Sequence, residues 1–326
     1  MVLIAALALV QSVASAPEGA ADPMAALIAE TALQETACEA GSETCVEAER
    51  FAMSAEGIAQ FNALVASQVV PAAAPINCAG THRQGAMIVC RTAPGADVSL
   101  GDITVSADDA GWVVLGHDRD AEPQTTLSVS GAGLSYEETV TVEQREYDIQ
   151  RIEGVPQQYV TPPEEVLDRI RAEGREKRGA YTSRWPGDGF ATAFEMPVEG
   201  RLTGVYGSQR YYNGEPRRPH YGIDIAAPGG TPVIAPAAGV VTLADPDMYY
   251  EGGLIFIDHG QGLTSAFLHL GAVNVEVGQQ VAQGEVIGEV GSGGRSTGAH
   301  LDWRIKWHNR YIDPAAALEV DPSGLR

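Results

Sequence analysis

The sequence predicts a mainly β protein, in which a helical N-terminal segment and a small β-sandwich-like domain precede a C-terminal antiparallel β domain. Residues 76–146 contain short β-branched runs, such as Trp112-Val-Val-Leu115, separated by turn clusters. This spacing is typical of a small all-β domain. From Pro197 onward, short apolar runs such as Ile255-Phe-Ile257 alternate with glycines, and no long helical pattern is present. These two patterns predict the two β domains.

The N-terminus predicts export. Residues 1–16 form a short apolar run that ends in the small-residue site Ala14-Ser15-Ala16, which is typical of a signal peptide. The run is too short to span a bilayer, so we expect no membrane insertion after signal removal. The start of a buried helix is the alternative interpretation. Residues 17–75 follow as an Ala-rich helical segment and a linker.

The cysteines predict two disulfides. No C-x-x-C motif occurs among Cys38, Cys45, Cys78 and Cys90, which disfavours a zinc ribbon or a redox motif. Four cysteines in an exported chain allow three connectivities. We favour the local pairs Cys38–Cys45 and Cys78–Cys90, because each closes a short loop. Four free thiols in a cytosolic protein are the alternative.

The rest of the chain divides into a connector, the C-terminal domain and a tail. Residues 147–196 form the connector, with one helix that opens at Pro162-Pro163-Glu164-Glu165 and runs to about Lys177. Residues 197–318 form the C-terminal β domain, and residues 319–326 the tail. The formal charge of −22 excludes an extended basic surface that would bind the phosphate backbone of nucleic acid. Nucleic acid is therefore not an expected partner.

Two short motifs in the C-terminal domain combine residues that bind zinc. In the first, His220 precedes Asp224 by four residues, and Gly222 and flanking prolines favour an extended or bulged strand over a helix. In the second, His300 and Asp302 project from the same side of a strand, because side chains alternate along it. His269, taken alone, is most simply a structural histidine.

These motifs occur in an order that resembles a known family. The region 197–318 closely resembles the lysostaphin/LytM-type zinc metallopeptidases, a peptidoglycan endopeptidase family of the bacterial envelope. The residues that carry the resemblance are Arg217–Pro228, Gly230–Val241, Ile257–Gly260, Phe267–Leu270, Val277–Gly288 and Thr297–Asp302.

The resemblance implies a site with one Zn²⁺ per chain. It makes His220 and Asp224 metal ligands, and His269 and His300 catalytic residues. The third ligand position holds Asp302 where the family has a histidine. One histidine and two carboxylates would neutralise Zn²⁺, so we expect a weaker Lewis acid and reduced activity. Asp302→His should raise activity if this charge is the limitation.

The resemblance also implies the function and its setting. We expect a zinc-dependent endopeptidase that cleaves peptide cross-links of peptidoglycan in the periplasm or cell envelope of a bacterium. The alternative is a catalytically impaired relative that binds the cell wall and regulates a wall amidase. Expected partners are stem or cross-link peptides of peptidoglycan, and a wall amidase under the alternative. His259 is expected to be scaffold and His308 a surface residue, whereas Tyr206 and Arg210 are candidates for the groove wall.

Overall fold

The computed structural model describes residues 74–154 and 157–325. The predicted signal peptide, the predicted helical segment before residue 74 and the Cys38–Cys45 pair lie outside the described residues. None of the helices within the described ranges is long and apolar enough to cross a membrane.

The region 76–146 contains two antiparallel sheets, in agreement with the predicted short strands. Period-two burial explains the strands: Ile103 and Val105 are buried, whereas Thr104 and Ser106 between them are exposed. Cys78 and Cys90 lie opposite each other on two paired strands and form a disulfide, which confirms this predicted pair. One sheet consists of β1 (Asn77–Ala79), β2 (Met87–Arg91) and β5 (Trp112–Gly116), and the other of β3 (Asp97–Leu100), β4 (Ile103–Ser106), β6 (Gln124–Gly131) and β7 (Leu134–Thr141).

A ten-stranded antiparallel sheet forms the C-terminal domain. Its main path runs β17-β14-β15-β16-β19-β12-β9, with β18 pairing β13 and β16, and β20 pairing β19. The strands are β9 (Arg201–Gly204), β12 (Gly222–Ala226), β13 (Pro232–Ile234), β14 (Gly239–Met248), β15 (Gly252–Asp258), β16 (Leu263–Val273), β17 (Gln280–Val281), β18 (Val286–Val290), β19 (Leu301–Trp307) and β20 (Arg310–Ile312).

Strand β19 shows how the sequence pattern positions the site. Every second residue is fully buried and apolar, and these residues fill the core on one face of the sheet. The intervening residues, Asp302, Arg304 and Lys306, therefore share the opposite face. The buried apolar residues are Leu301, Trp303, Ile305 and Trp307.

The connector adds a strand and two helices. Strand β8 pairs in parallel with β10 of a small sheet, and the predicted helix is present with a 3₁₀ turn at Glu164–Val166 before it. This helix is tied to the β14–β15 turn, because Lys177 forms an ion pair with Glu251. The elements are β8 (Ile149–Ile152), β10 (Gln209–Tyr212), β11 (Glu215–Pro216), α1 (Gln157–Val160) and α2 (Leu167–Ala180), with α3 (Pro314–Ala317) near the C-terminus.

One hydrophobic core spans both β regions. The same buried cluster contains Val98 and Leu115 from the first region and Trp303 from the second. Polar contacts reinforce the junction: Gln261 Oε1 accepts from a β5 backbone N–H at 3.0 Å, and Arg310 donates to Gly116 O at 2.9 Å. The boundaries at 76–146, 147–196 and 197–318 stay predictions.

A buried histidine pair in the first β region predicts loss of stability in acid. His117 is buried, and its Nε2 lies 2.9 Å from His82 Nδ1. Burial, together with the nearby charges of His82 and Arg310, lowers the pKa of His117 to about 3. An unfolded histidine has a pKa of about 6.5. Between pH values of about 3 and about 6.5, His117 is therefore protonated in the unfolded chain and neutral in the folded protein. Stability should therefore fall as the pH drops from about 6.5, by at most about 1.4 kcal/mol per pH unit from this group.

The test is urea unfolding of wild type and His117→Gln at pH 7, 6 and 5. Buried His259 and His269 also have lowered pKa values, so the difference between the two slopes is the readout. The variant should lose less stability per pH unit than wild type. Parallel pH dependences would contradict the assignment.

Candidate metal centre

The three predicted metal ligands lie together where two neighbouring strands meet. Asp224 on β12 lies directly opposite Asp302 on β19, and His220 immediately precedes β12. One ligand atom from each residue lies within 4.8 Å of the others, and all three residues are buried. The predicted extended segment carries a register shift after Asp224, between Asp224 and Ile225.

Two glycines leave room for these carboxylates. A Cβ on Gly204 would lie 2.2 Å from Asp224 Oδ2, and one on Gly222 would lie 2.4 Å from Trp303 O and 2.9 Å from Asp302 Oδ1. Such distances are far shorter than carbon–oxygen contacts in proteins, so a larger residue would displace the site. The Gly222 of the first motif is thus required for close approach of β12 and β19.

The donor atoms of His220 and Asp224 fit a bound cation. Neither ring nitrogen of His220 nor Asp224 Oδ1 has a hydrogen-bond partner among the described residues, and the His220 side chain is fully buried. His220 Nε2 lies 3.2 Å from Asp224 Oδ1. A buried polar atom without a partner costs about 1–3 kcal/mol. A nitrogen–oxygen ligand set of this kind suits zinc, which would satisfy these atoms.

Each carboxylate also has an arginine partner. Arg304 holds Asp302 in a two-pronged contact, with Nε to Oδ1 at 3.0 Å and Nη2 to Oδ2 at 2.6 Å. Arg210 donates to Asp224 Oδ2. Burial raises the pKa of Asp302, but the charge and hydrogen bonds of Arg304 outweigh burial, and the pKa falls below its usual range. Both carboxylates are therefore ionised and charge-compensated within the protein.

Sequence reasoning missed the role of Arg304, although the pattern contains it. The period-two rule that places His300 and Asp302 on one face of β19 places Arg304 there as well. Arg210 was a candidate for the groove wall, and the structure adds its ion pair with Asp224.

The two predicted catalytic histidines face this centre. Their ring centroids lie 4.8 Å apart, and His300 Nε2 lies 3.9 Å from Asp224 Oδ1. His269 Nδ1 donates to Gly293 O at 2.8 Å, and His300 Nδ1 donates to Gly298 O at 2.8 Å. Because carbonyl oxygens only accept, these contacts select the Nδ1–H tautomer and leave each Nε2 as an acceptor.

Burial and backbone geometry single out His269. Burial lowers its pKa to about 4, so the imidazole is neutral at pH 7. Its backbone adopts a left-handed φ of +64°, which is uncommon outside glycine and costs energy. Its backbone N–H donates to Glu251 O at 2.7 Å, which holds it in this conformation.

The remaining sequence candidates have other positions. His259 is fully buried, and its ring nitrogens contact Ala238 O and Ser265 Oγ, each at 2.8 Å, as expected for scaffold. His308 is half-buried rather than on the open surface. Tyr206 is buried and donates its hydroxyl to Tyr311 O at 2.7 Å, so it does not line the groove.

A groove of about 300 Å³ opens beside the centre. Asp224, His269 and His300 line it together with Arg295, in the glycine-rich loop of residues 291–298, and Gln150 of β8. Gln150 Oε1 accepts from Arg210 Nε at 2.8 Å. The connector therefore forms part of the groove wall. It also supports Arg210, which contacts the predicted metal ligand Asp224.

Comparison with known proteins places this centre in a family. Residues 218–314 match the model of peptidase family M23. The crystal structure of a Pseudomonas aeruginosa protein assigned to peptidase M23 aligns with a TM-score of 0.58 and 31% identity, covering 73% of this chain and 96% of that one.

Two curated relatives match over shorter segments. The Neisseria meningitidis DD-carboxypeptidase/endopeptidase Mpg is 42% identical over 105 residues, covering 32% of this chain and 24% of the relative. The Vibrio cholerae peptidoglycan DD-endopeptidase ShyA is 34% identical over 135 residues, covering 40% and 31%. The chain thus spans less than a third of these relatives. Together, the family match and the near-complete alignment with the Pseudomonas structure show that the chain belongs to peptidase family M23.

Proposed function

We propose that the protein is an exported, zinc-dependent endopeptidase that cleaves peptide cross-links of bacterial peptidoglycan. The observation that carries the proposal is the buried pair of His220 and Asp224, with His220 Nε2 3.2 Å from Asp224 Oδ1 and no hydrogen-bond partner for His220 Nδ1 among the described residues. Two histidines that donate through Nδ1 to backbone carbonyls face this pair. The names of the relatives support a peptidoglycan substrate. Zinc bound to His220, Asp224 and Asp302 would polarise a peptide carbonyl and lower the pKa of a bound water.

Arg304 changes the charge expected from Asp302. An ionised Asp302 paired with Arg304 is neutral overall, as a neutral histidine would be. With Zn²⁺ bound, the Asp302–Arg304 pair and His220 would add no charge, and Asp224 would add one negative charge. The net charge would then equal that of the family's two histidines and one aspartate with Zn²⁺. Each carboxylate oxygen has two lone pairs, so Asp302 can accept from Arg304 and still coordinate a cation.

The histidines supply the proton transfers. Nε2 of His269 or His300 accepts a proton as water attacks the peptide carbonyl. The resulting imidazolium N–H then stabilises the oxyanion and returns the proton to the leaving amine as the C–N bond breaks. The Nδ1–H contacts to Gly293 and Gly298 fix both rings for this role.

The second candidate is a wall-binding protein that regulates an amidase without cleaving peptides itself. One observation favours it: Arg210 and Arg304 already compensate both carboxylates, so the centre needs no metal for charge balance. The His220 ring favours the enzyme, because among the described residues its Nδ1 has no partner and its Nε2 approaches only the predicted ligand Asp224, at 3.2 Å.

Metal content and wall cleavage test the proposal. The purified full chain should contain one zinc, and it should release new amino termini from peptidoglycan sacculi. His300→Ala should lower kcat at least 100-fold and leave the zinc content unchanged, because it removes a proton acceptor rather than a ligand. His308→Ala is the control, since His308 does not line the groove. Wild-type protein without zinc or without cleavage would favour the regulator.

The Arg304–Asp302 pair predicts a zinc-dependent stability change. Arg304→Met leaves a buried carboxylate uncompensated and should lower the free energy of unfolding by about 3 kcal/mol in chelator. Saturating zinc should shrink this deficit, because the cation supplies the missing charge and binds only the folded state. Thermal unfolding with chelator and with zinc measures both. Lys306→Met removes the same charge from the same strand without contacting Asp302, and its deficit should not depend on zinc. An equal deficit for Arg304→Met in both conditions would contradict the role.

The same pair alters the expected effect of a histidine at position 302. Asp302→His alone leaves Arg304 uncompensated beside the metal, so zinc affinity should fall at least tenfold, and activity should fall with it rather than rise. Adding Arg304→Gln should restore affinity and raise kcat/KM above that of the single variant. Zinc titration of the two single variants and the double variant forms the cycle. Additive effects would show that the residues do not act as a pair.

A further inference from the structure

A second cavity, of about 480 Å³, adjoins the metal centre beside His220. Among the described residues that line it there are five arginines and no carboxylate, although the chain carries 43 acidic residues against 21 basic ones. Such a concentration of one charge in a concave site favours an anionic ligand. The arginines are Arg210, Arg217, Arg218, Arg295 and Arg304.

The arginines differ in how their charge is used. Arg210 and Arg304 pair with the two candidate metal ligands, and Arg217 contacts Glu215 at 2.8 Å. Arg218 and Arg295 donate no side-chain hydrogen bond to any residue that the structure describes. These two guanidinium groups are therefore the donors that a ligand would use.

Arg295 is held in an orientation suited to a carboxylate. Its guanidinium carbon lies 5.0 Å from the ring centroid of Tyr212 and 4.9 Å from that of Tyr250. Stacking against aromatic faces engages the flat surface of a guanidinium and leaves the N–H groups at its edge. Two parallel N–H groups match the two oxygens of a carboxylate.

The cavity opens next to the groove where cleavage is proposed. Arg210, Tyr212 and Arg295 line both the cavity and the groove. A group bound by Arg295 would therefore belong to the same peptide whose bond lies at the metal centre.

We propose that this basic cavity binds a free carboxylate of the peptide substrate, close in sequence to the cleaved bond. The inference rests on the proposed function, because it assigns the chemistry of a substrate to the same centre. The carboxylate comes either from the C-terminus of a stem peptide or from a side chain of the peptide. Both sources share the interaction with Arg295 and Arg218.

Binding to metal-free protein tests the inference without hydrolysis. Full-length protein in chelator is titrated with a cross-linked muropeptide dimer, with the dimer amidated at its C-terminal carboxylates, and with the dimer amidated at its side-chain carboxylates. Amidation at the recognised position should raise Kd at least tenfold, and the arm that responds identifies the source. Unchanged Kd in both amidated arms would overturn the proposal.

Variants assign the effect to the cavity. Arg295→Gln and Arg218→Gln should each weaken binding of the free dimer and reduce the penalty of amidation. Arg295→Lys keeps the charge but loses the two parallel N–H groups, so it should retain part of the discrimination that Arg295→Gln loses, which a purely structural role of Arg295 would not allow. Arg171→Gln removes an exposed arginine on α2 and is the charge control. Equal weakening of dimer binding by Arg171→Gln and Arg295→Gln would overturn the proposal. Equal loss of carboxylate discrimination in Arg295→Gln and Arg295→Lys would also overturn it.

The outcomes separate the two proposals. Carboxylate discrimination in a protein that binds no zinc and cleaves no sacculi would retain the basic cavity and reject the peptidase. Zinc-dependent cleavage with equal binding of all three dimers would retain the peptidase and reject the cavity.

Discussion

The structure of the centre depends on two buried carboxylates that face each other across neighbouring strands. Asp224 and Asp302 are register partners on β12 and β19, and like charges in that position repel. Burial makes the repulsion stronger, because little water screens it. Arg210 and Arg304 each compensate one carboxylate, which lets both stay ionised beside His220. The centre thus combines a predicted metal-ligand set with its own counter-charges.

The connector supports this arrangement from two sides. Gln150 on β8 accepts from Arg210, which contacts Asp224. On the other side, Lys177 on α2 pairs with Glu251, whose carbonyl accepts from the backbone of His269. The family model matches only residues 218–314, so these supports come from a part of the chain outside the match. The geometry of the centre is therefore a property of the larger folded unit.

Arginines are concentrated near the centre, although the chain as a whole is strongly acidic. The cavity beside His220 has five arginines among its lining residues. Two of these form ion pairs with Asp224 and Asp302, and Arg295 stacks on Tyr250, which leaves its N–H edge for the proposed ligand. The same residue type thus serves the ionisation of the centre and, in our proposal, the recognition of substrate.

The sequence by itself determined the β architecture and the residues that meet at the centre, and it favoured the Cys78–Cys90 pair among three possible connectivities. Alternating burial sets strand faces, and the order of His220, Asp224, His269 and His300 carries the family resemblance. Period-two spacing also places Arg304 on the same face of β19 as Asp302. Only the tertiary structure decided how Asp302 is compensated and which connector residues reach the site. Contacts such as Gln150 with Arg210 join residues 60 positions apart, and local patterns carry no information about such distant pairs. The left-handed backbone of His269 likewise depends on its neighbours in space, because the hydrogen bond from its N–H to Glu251 O holds a conformation that remains uncommon outside glycine.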